Sequence, residues 1–389
     1  MMHHRLNRGS TIILYGCLAA IVAAPHQNAV ADATVATQIA VIAKVGPQGK
    51  GSAAARAARD DLARRDVEIL PPLLAAMNTS NVVAANWYRS IYEEIVERGL
   101  ARKETAWPIE FLKEYVSDGR IAGRPRNLVL ALLDRLDPEY RKQWLPTRLD
   151  DPDFRGEAVA LALSAGEQAL RDGKSDLAKT EFRKAFDHAR DSVQVTQAAQ
   201  KLKMLGEPAD VHSHLGLITN WWLVGPFDAP EKTGFATAFA PESKVDLGAA
   251  YKGQADKEIR WIRHKASDAL GQLDLNGALG ATREAVGYAY AEIDVAREQP
   301  AHLRCGADDN CSVWLNGRRV FAREQWLNGT RFDRFITPVT LVAGRNTLLV
   351  KVCQGPQHKD PEVPNNWTLQ LRLCDEQGRG VAFRSIAPE

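Results

Sequence analysis

The sequence predicts a multidomain α and β protein, with an α-helical segment over 33–206 joined to an antiparallel β-sandwich over 221–385. Three observations carry that reading. Apolar residues recur at helical spacing from Ala33 to about Gly206, and at a spacing of two beyond Trp221. Turn signals in the second half separate short runs, as many short strands require. The cysteines are also uneven: Cys17 stands alone, and Cys305, Cys311, Cys353 and Cys374 all fall in the second half.

The first residues read as an address. His3, His4, Arg5 and Arg8 precede an apolar run from Thr11 to Ala24, closed by Pro25. The run is shorter than the roughly 20 residues that a membrane-spanning helix needs, and it fits the apolar core of a signal peptide. Ala29-Val30-Ala31 supplies small residues for cleavage before Asp32, so 1–31 is expected to be a signal peptide and the mature chain periplasmic or extracellular, with no membrane span. Leu14-Tyr15-Gly16-Cys17 is a loose lipobox, and lipid anchoring at Cys17 is the alternative. The chain has 389 residues, enough for two or three domains, of which 45% are hydrophobic and 25% charged. Fifty Lys and Arg against 48 Asp and Glu leave +2, with none of the basic excess of a nucleic-acid binder.

Within the helical half, Leu62, Val67, Ile69, Leu70, Leu73, Leu74 and Met77 flank Pro71-Pro72, where a helix must end or restart for want of amide donors. Asn78 to Asn81 is a polar turn with capping side chains. The next run places Val82, Val83, Trp87, Ile91, Ile95 and Val96 on one stripe. A third run covers Asn127–Leu136. LPPLLAAM (70–77) followed by NWYRSIYEEI (86–95) resembles a HEAT-like helical pair. EAVALALSAGEQAL (157–170) and LAKTEFRKAFDHA (177–189) resemble one tetratricopeptide unit, a generic helical hairpin being the other reading. There Ala165, Ala178 and Ala185 would let the helices approach, and Leu161, Leu170, Leu177, Phe182 and Phe186 would fill between them. Residues 207–220 are expected to be a linker. Its His212 and His214 have a metal-compatible spacing but no further ligand nearby, so a non-metal role is expected.

In the second half, Tyr288, Tyr290, Glu292 and Asp294 alternate with Ala289, Ala291, Ile293 and Val295, which reads as a half-buried strand. Ala301–Cys305, the turn Gly306–Asn310 and the hairpin Cys311–Phe321 follow, with Asn316-Gly317 suited to a type I′ turn. Val339–Val342, a turn, and Asn346–Cys353 read as a further pair, and Trp367–Leu373 as a last strand. GADDN (306–310), VWLNGRRV (313–320) and LVAGRNTLLVKV (341–352) together resemble the galactose-binding-like jelly roll, as in the sugar-binding domain of family-two glycoside hydrolases. WLVGPF (222–227), Pro241-Glu242, Tyr251-Lys252-Gly253 and Trp261 look like those of exported planctomycete-type multidomain proteins, in which helical repeats precede such a sandwich.

The resemblance implies a carbohydrate or cell-surface glycan as partner. An exposed ring can stack on the C–H face of a pyranose, so Trp326 is the first ligand-binding candidate. Trp367, Asn365 and Asn366 come next, then Tyr251 and His358. Asp308 and Asp309 are expected to cap their turn, with a structural Ca²⁺ as the weaker reading and no other cofactor. Of the cysteine pairings, Cys305–Cys311 is favoured as a bridge closing the GADDN turn. Cys353–Cys374 is disfavoured, because pairing Asn346–Cys353 with Trp367–Cys374 as antiparallel neighbours would put those two about 23 Å apart, past the ~7 Å reach of a disulfide.

Catalytic patterns are missing. Gly173-Lys174-Ser175 imitates a phosphate loop, but Gln168 occupies the place of the required glycine. No nucleophile elbow, zinc-protease helix or dinucleotide fingerprint occurs. The expectation is an exported, non-enzymatic binding protein. Its rivals are a protein–protein interaction scaffold with a structural sandwich, and a polysaccharide-active hydrolase or lyase with an inter-domain site.

Overall fold

The structure is a computed structural model that describes residues 24–326, 329–360 and 362–386, of which 24–32 by main chain alone. Apart from the main chain of Ala24, the expected signal run, with Cys17, lies outside these residues. No described helix is long and apolar enough to cross a membrane. The chain divides into two units, 1–142 and 143–389.

The first unit is helical: α1 (Ala24–Ile42), α2 (Ser52–Ala63), α3 (Leu70–Met77), α4 (Val82–Leu100), α5 (Ile109–Ser117) and α6 (Gly123–Leu136). Pro71 and Pro72 open α3, where a missing amide costs no intrahelical bond. Asn81 caps α4 by accepting from the amides of Val83 and Ala84, both at 3.2 Å. The buried stripe of α4 is Ala84, Tyr88, Ile91, Tyr92, Ile95 and Val96, whereas Val82 is exposed, which corrects the expected stripe by one face position. The two tyrosines explain the difference. Each buries its ring and satisfies its hydroxyl on a main-chain carbonyl, Tyr88 on Ile39 and Tyr92 on Leu128.

A short helix, α7 (Tyr140–Trp144), runs across the division. The second unit begins with α8 (Arg155–Arg171), α9 (Ser175–His188) and α10 (Ser192–Met204). The first two form the expected helical hairpin, but with a different seam. Leu161, Leu177 and Ala165 are exposed, and Ala162, Leu163, Gly166 and Ala169 face α9 instead. Gly166 causes this shift, because the Phe182 ring lies where its Cβ would be, 2.7 Å away.

Residues 207–220 are packed: α11 (Val211–Leu215) lies among them, and Leu215, Leu217 and Ile218 are buried. The two histidines do not converge. His212 Nε2 donates to Asp268 O at 2.9 Å, and His214 Nε2 donates to Ala189 O at 2.8 Å. Burial pushes the His214 imidazole below its usual value, with the Ala189 carbonyl opposing. A lowered folded value means that stability attached to neutral His214 is present above about pH 6.5 and is lost as pH falls. Urea unfolding is expected to show this loss between about pH 8 and about pH 5. His214→Gln should flatten the profile, and an unchanged slope would assign the loss to other groups.

Thirteen strands follow among the described residues: β1 (Asn220–Asp228), β2 (Ala250–Lys252), β3 (Glu258–Arg260), β4 (Ile262–Lys265), β5 (Leu273–Asp274), β6 (Ala285–Val295), β7 (Gln299–Ala307), β8 (Cys311–Leu315), β9 (Arg318–Arg323), β10 (Phe335–Leu341), β11 (Gly344–Gln354), β12 (Thr368–Cys374) and β13 (Arg384–Ile386). The larger sheet runs β4-β1-β6-β11-β8-β9, with β13 also on β6; the smaller runs β10-β7-β12-β5, and β2-β3 is a ribbon. Every pairing is antiparallel. Leu348, Val350 and Val352 of β11 meet Leu303, Leu369 and Leu371 of the smaller sheet in one core, so the fold is a helical segment followed by a β-sandwich.

The Asn316-Gly317 hairpin forms as expected, with φ of 52° and 77°. Leu315 points into the sandwich and Trp314 away from it. Other expected pairings are wrong. β10 and β11 are not partners, since β10 pairs β7 in the smaller sheet and β11 pairs β6 and β8 in the larger. Likewise β11 and β12 lie in different sheets, so Cys353 and Cys374 are not on neighbouring strands. β6 is buried on both faces through Tyr290, not half-buried. Its outer face is covered by residues 229–261, whose Phe235, Phe239, Tyr251 and Trp261 pack on Tyr288 and Tyr290.

Candidate functional site

Three connections pass from one sheet to the other at the same end of the sandwich: 308–310 between β7 and β8, 324–334 between β9 and β10, and 355–367 between β11 and β12. The sequence ties them together through Asp308-Asp309-Asn310. The Asp308 carboxylate accepts from the Gly329 amide, Asp309 Oδ2 accepts from the Gly355 amide at 2.9 Å, and Asn310 Oδ1 accepts from the Gln325 amide at 2.5 Å. These side chains therefore hold loops. Burial pushes the Asp308 carboxyl above its usual value, against the lowering effect of the Gly329 amide. Among the described residues, no group of three or more His, Cys, Asp or Glu side chains could hold a metal ion.

Where the three connections meet they leave a cleft of about 490 Å³, lined among others by Trp326, His358, Asn365, Asp308, Asp309 and Lys232. Trp326 is half-buried, and its six-membered ring lies so close to Gly355 that a Cβ there would be 3.0 Å from Cζ3. The Lys232 ammonium stands 4.9 Å from the ring centroid, a cation–π contact of about 0.5–1 kcal/mol at an exposed site. His358 Nδ1 accepts from the Asp360 amide at 3.1 Å, and Asn365 Nδ2 donates to Thr282 O at 3.3 Å. The main-chain carbonyl of Asn365 accepts from Asn276 Nδ2 at 2.8 Å, which anchors that wall.

The remaining candidates are not brought here. Trp367 is fully buried in the sandwich core, so it is removed from the ligand-binding set; no ring face is left for a sugar. Asn366, half-buried beside it, does not line the cleft. Tyr251 lies on the outer cover, its ring 5.8 Å from Phe227, with its hydroxyl donating to Asp246 O, so it too is removed. The Cys305–Cys311 bridge is absent: both are free, buried thiols. GADDN is not a hairpin turn but a crossing between sheets, and the Cys311 side chain lies beside that of Cys305 inside the core. That contact and burial raise the Cys305 thiol well above its usual value.

No protein-family model matches the chain, and no curated protein matches it. Among solved structures it is similar to a PA14 sugar-binding domain from an RTX adhesin, at 12% identity and TM-score 0.25, over 43% of this chain and 96% of that one. It is also similar to a family 35 carbohydrate-binding module from an environmental isolate, at 11% identity and TM-score 0.20, over 28% of this chain and 77% of the module. A third is a β-glucuronidase from Faecalibacterium prausnitzii, at 14% identity and TM-score 0.24; the match covers 41% of this chain and only 31% of the glucuronidase.

Lys232 and Gly355 escaped the sequence reading. Lys232 sits far from Trp326 along the chain, in the segment that covers the outer face. A glycine whose value is the approach of a distant ring carries no local signal.

Proposed function

We propose that the protein is an exported, non-enzymatic binding protein that holds carbohydrate in the cleft beside Trp326, with the helical segment as scaffold. The observation that carries this reading is a concave site in which an aromatic ring stands among hydrogen-bonding side chains. Trp326 offers an apolar face for pyranose C–H groups, while His358, Asn365 and Lys232 offer partners for hydroxyls. Stacking on the face that Lys232 occupies requires its ammonium to swing aside, at a cost of about the cation–π contact.

A glycan array probed with the whole chain tests this. At least one glycan should be retained, and Trp326→Ala should weaken its binding about tenfold, the scale of one lost aromatic contact. Retention of no glycan, or equal binding by the variant, would overturn the proposal. Export has its own check, since the chain recovered from a secreting host should begin at Asp32.

A further inference from the structure

A second cleft, of about 480 Å³, lies elsewhere in the unit 143–389, and its lining is basic. Arg155 at the start of α8, Arg190 just before α10 and Arg304 on β7 all contribute to it. Their surroundings leave positive charge over. Arg155 spends its donors on main-chain carbonyls, with Nη1 to Gln377 O at 3.1 Å and Nε to Leu149 O at 3.2 Å. Arg190 does the same, with Nη1 to Ala189 O at 2.6 Å and to Asp187 O at 2.9 Å.

The two carboxylates of the cleft are committed. Asp333 is shared between Arg304, at 3.0 Å, and the fully buried Arg372, at 2.5 Å. Asp191 accepts from the amides of Val193 and Gln194 as the cap of α10, at 3.0 and 3.1 Å. Gly378 lies beside two of these arginines and Arg372: a methyl group placed on it would sit 3.7 Å from Arg190 Cβ, 3.8 Å from Arg372 Nη2 and 3.9 Å from Arg304 Nη1.

Hydrogen-bonding capacity is left over as well. Nε of Arg190 and of Arg304 is buried with no partner among the described residues. The Nη2 groups of the same two arginines make no hydrogen bond to the described residues either. Burial, followed by repulsion from Arg155 and Arg379, lowers the Arg190 guanidinium from its usual value, against the opposing pull of Asp375 and Asp150.

We infer that this cleft is a binding site for a tetrahedral oxyanion, a phosphate or sulfate group, held by Arg155, Arg190 and Arg304. Guanidinium forks match such groups with paired, charge-assisted hydrogen bonds, and a dianion supplies the charge that Asp333 divides between two partners. The site is separate from the Trp326 cleft, and the inference does not depend on carbohydrate binding there.

Calorimetric titration of the whole chain with inorganic phosphate, with sulfate and with glucose 6-phosphate tests it, against sodium chloride at matched ionic strength. Saturable binding of at least one of the three with chloride inert is expected, together with at least tenfold weaker binding in Arg155→Gln and in Arg190→Gln. Tighter binding of the ester than of free phosphate would point to a phosphorylated or sulfated saccharide as the source, and the reverse to the free anion. Because these arginines also brace main-chain carbonyls, a readout on the unaltered protein is needed too. Crystals soaked in selenate should show anomalous density between the three side chains. Heat released equally by chloride, unchanged affinity in both folded variants, or selenate bound only elsewhere would overturn the inference.

Discussion

Trp367→Ala is expected to destabilise the protein by about 4 kcal/mol while leaving glycan binding at the Trp326 cleft unchanged. The ring is fully buried in the core between the sheets, and its Nε1 donates to Val352 O at 3.2 Å. Gly287 of β6 makes room for it: a Cβ there would lie 2.7 Å from Cζ2, so the indole occupies a hole in the opposite sheet. Truncation leaves a cavity that rigid strands on both sides cannot close, and it also takes one donor from the Val352 carbonyl. Urea unfolding gives the stability. The glycan array, run well below the unfolding midpoint, gives the binding. Selective loss of binding in a variant of normal stability would return Trp367 to the site and contradict the core assignment.

The second large effect is expected at Lys351. Its side chain is almost wholly buried on the outer face of β11, where Nζ donates to Thr237 O at 2.6 Å and Phe235 O at 3.3 Å, and pairs with Glu242 at 2.7 Å. Glu242 also accepts from the Tyr288 hydroxyl. Desolvation together with the Glu242 hydrogen bond raises that phenol far above its usual value. One buried cation thus fastens the covering segment 229–261 to the sheet. Lys351→Met breaks the pair, leaving Glu242 without its counter-charge and two carbonyls without this donor, so a loss of about 3–5 kcal/mol is expected. Limited proteolysis should then cut first within 235–247. The double variant Lys351→Met with Glu242→Leu should recover part of the loss, because burying the pair itself carries a desolvation cost. Equal stability of the wild type and Lys351→Met would show that the ammonium does not fasten this segment.

Local physics was legible in the linear pattern. Prolines at 71 and 72, a capping Asn81 and the bend at Asn316-Gly317 each follow from forces acting within a few residues, and each stands in the structure. The errors share one cause. Period-two patterning says which face of a strand is apolar but not which strand lies beside it, so β10 and β11, adjacent in sequence, were joined although they belong to different sheets. Similarly, Ala162 and Gly166 replaced Ala165 at the helical seam because Phe182 decides where α8 can approach.

The candidate site was half readable. Trp326, His358 and Asn365 were picked out by residue type and loop position, and the structure places all three around one cleft. The same criteria chose Trp367, whose ring is buried in the core, and Tyr251, which is half-buried like Trp326 but packs on the outer cover away from the cleft. Sequence alone determined the change from helix to strand, the tight turns and the small set of loop aromatics, because these depend on backbone preference and periodicity. Tertiary structure decided the partner of each strand, which tryptophan remains accessible, and the gathering of Arg155, Arg190 and Arg304. Those outcomes depend on contacts between distant residues, and no local pattern carries them.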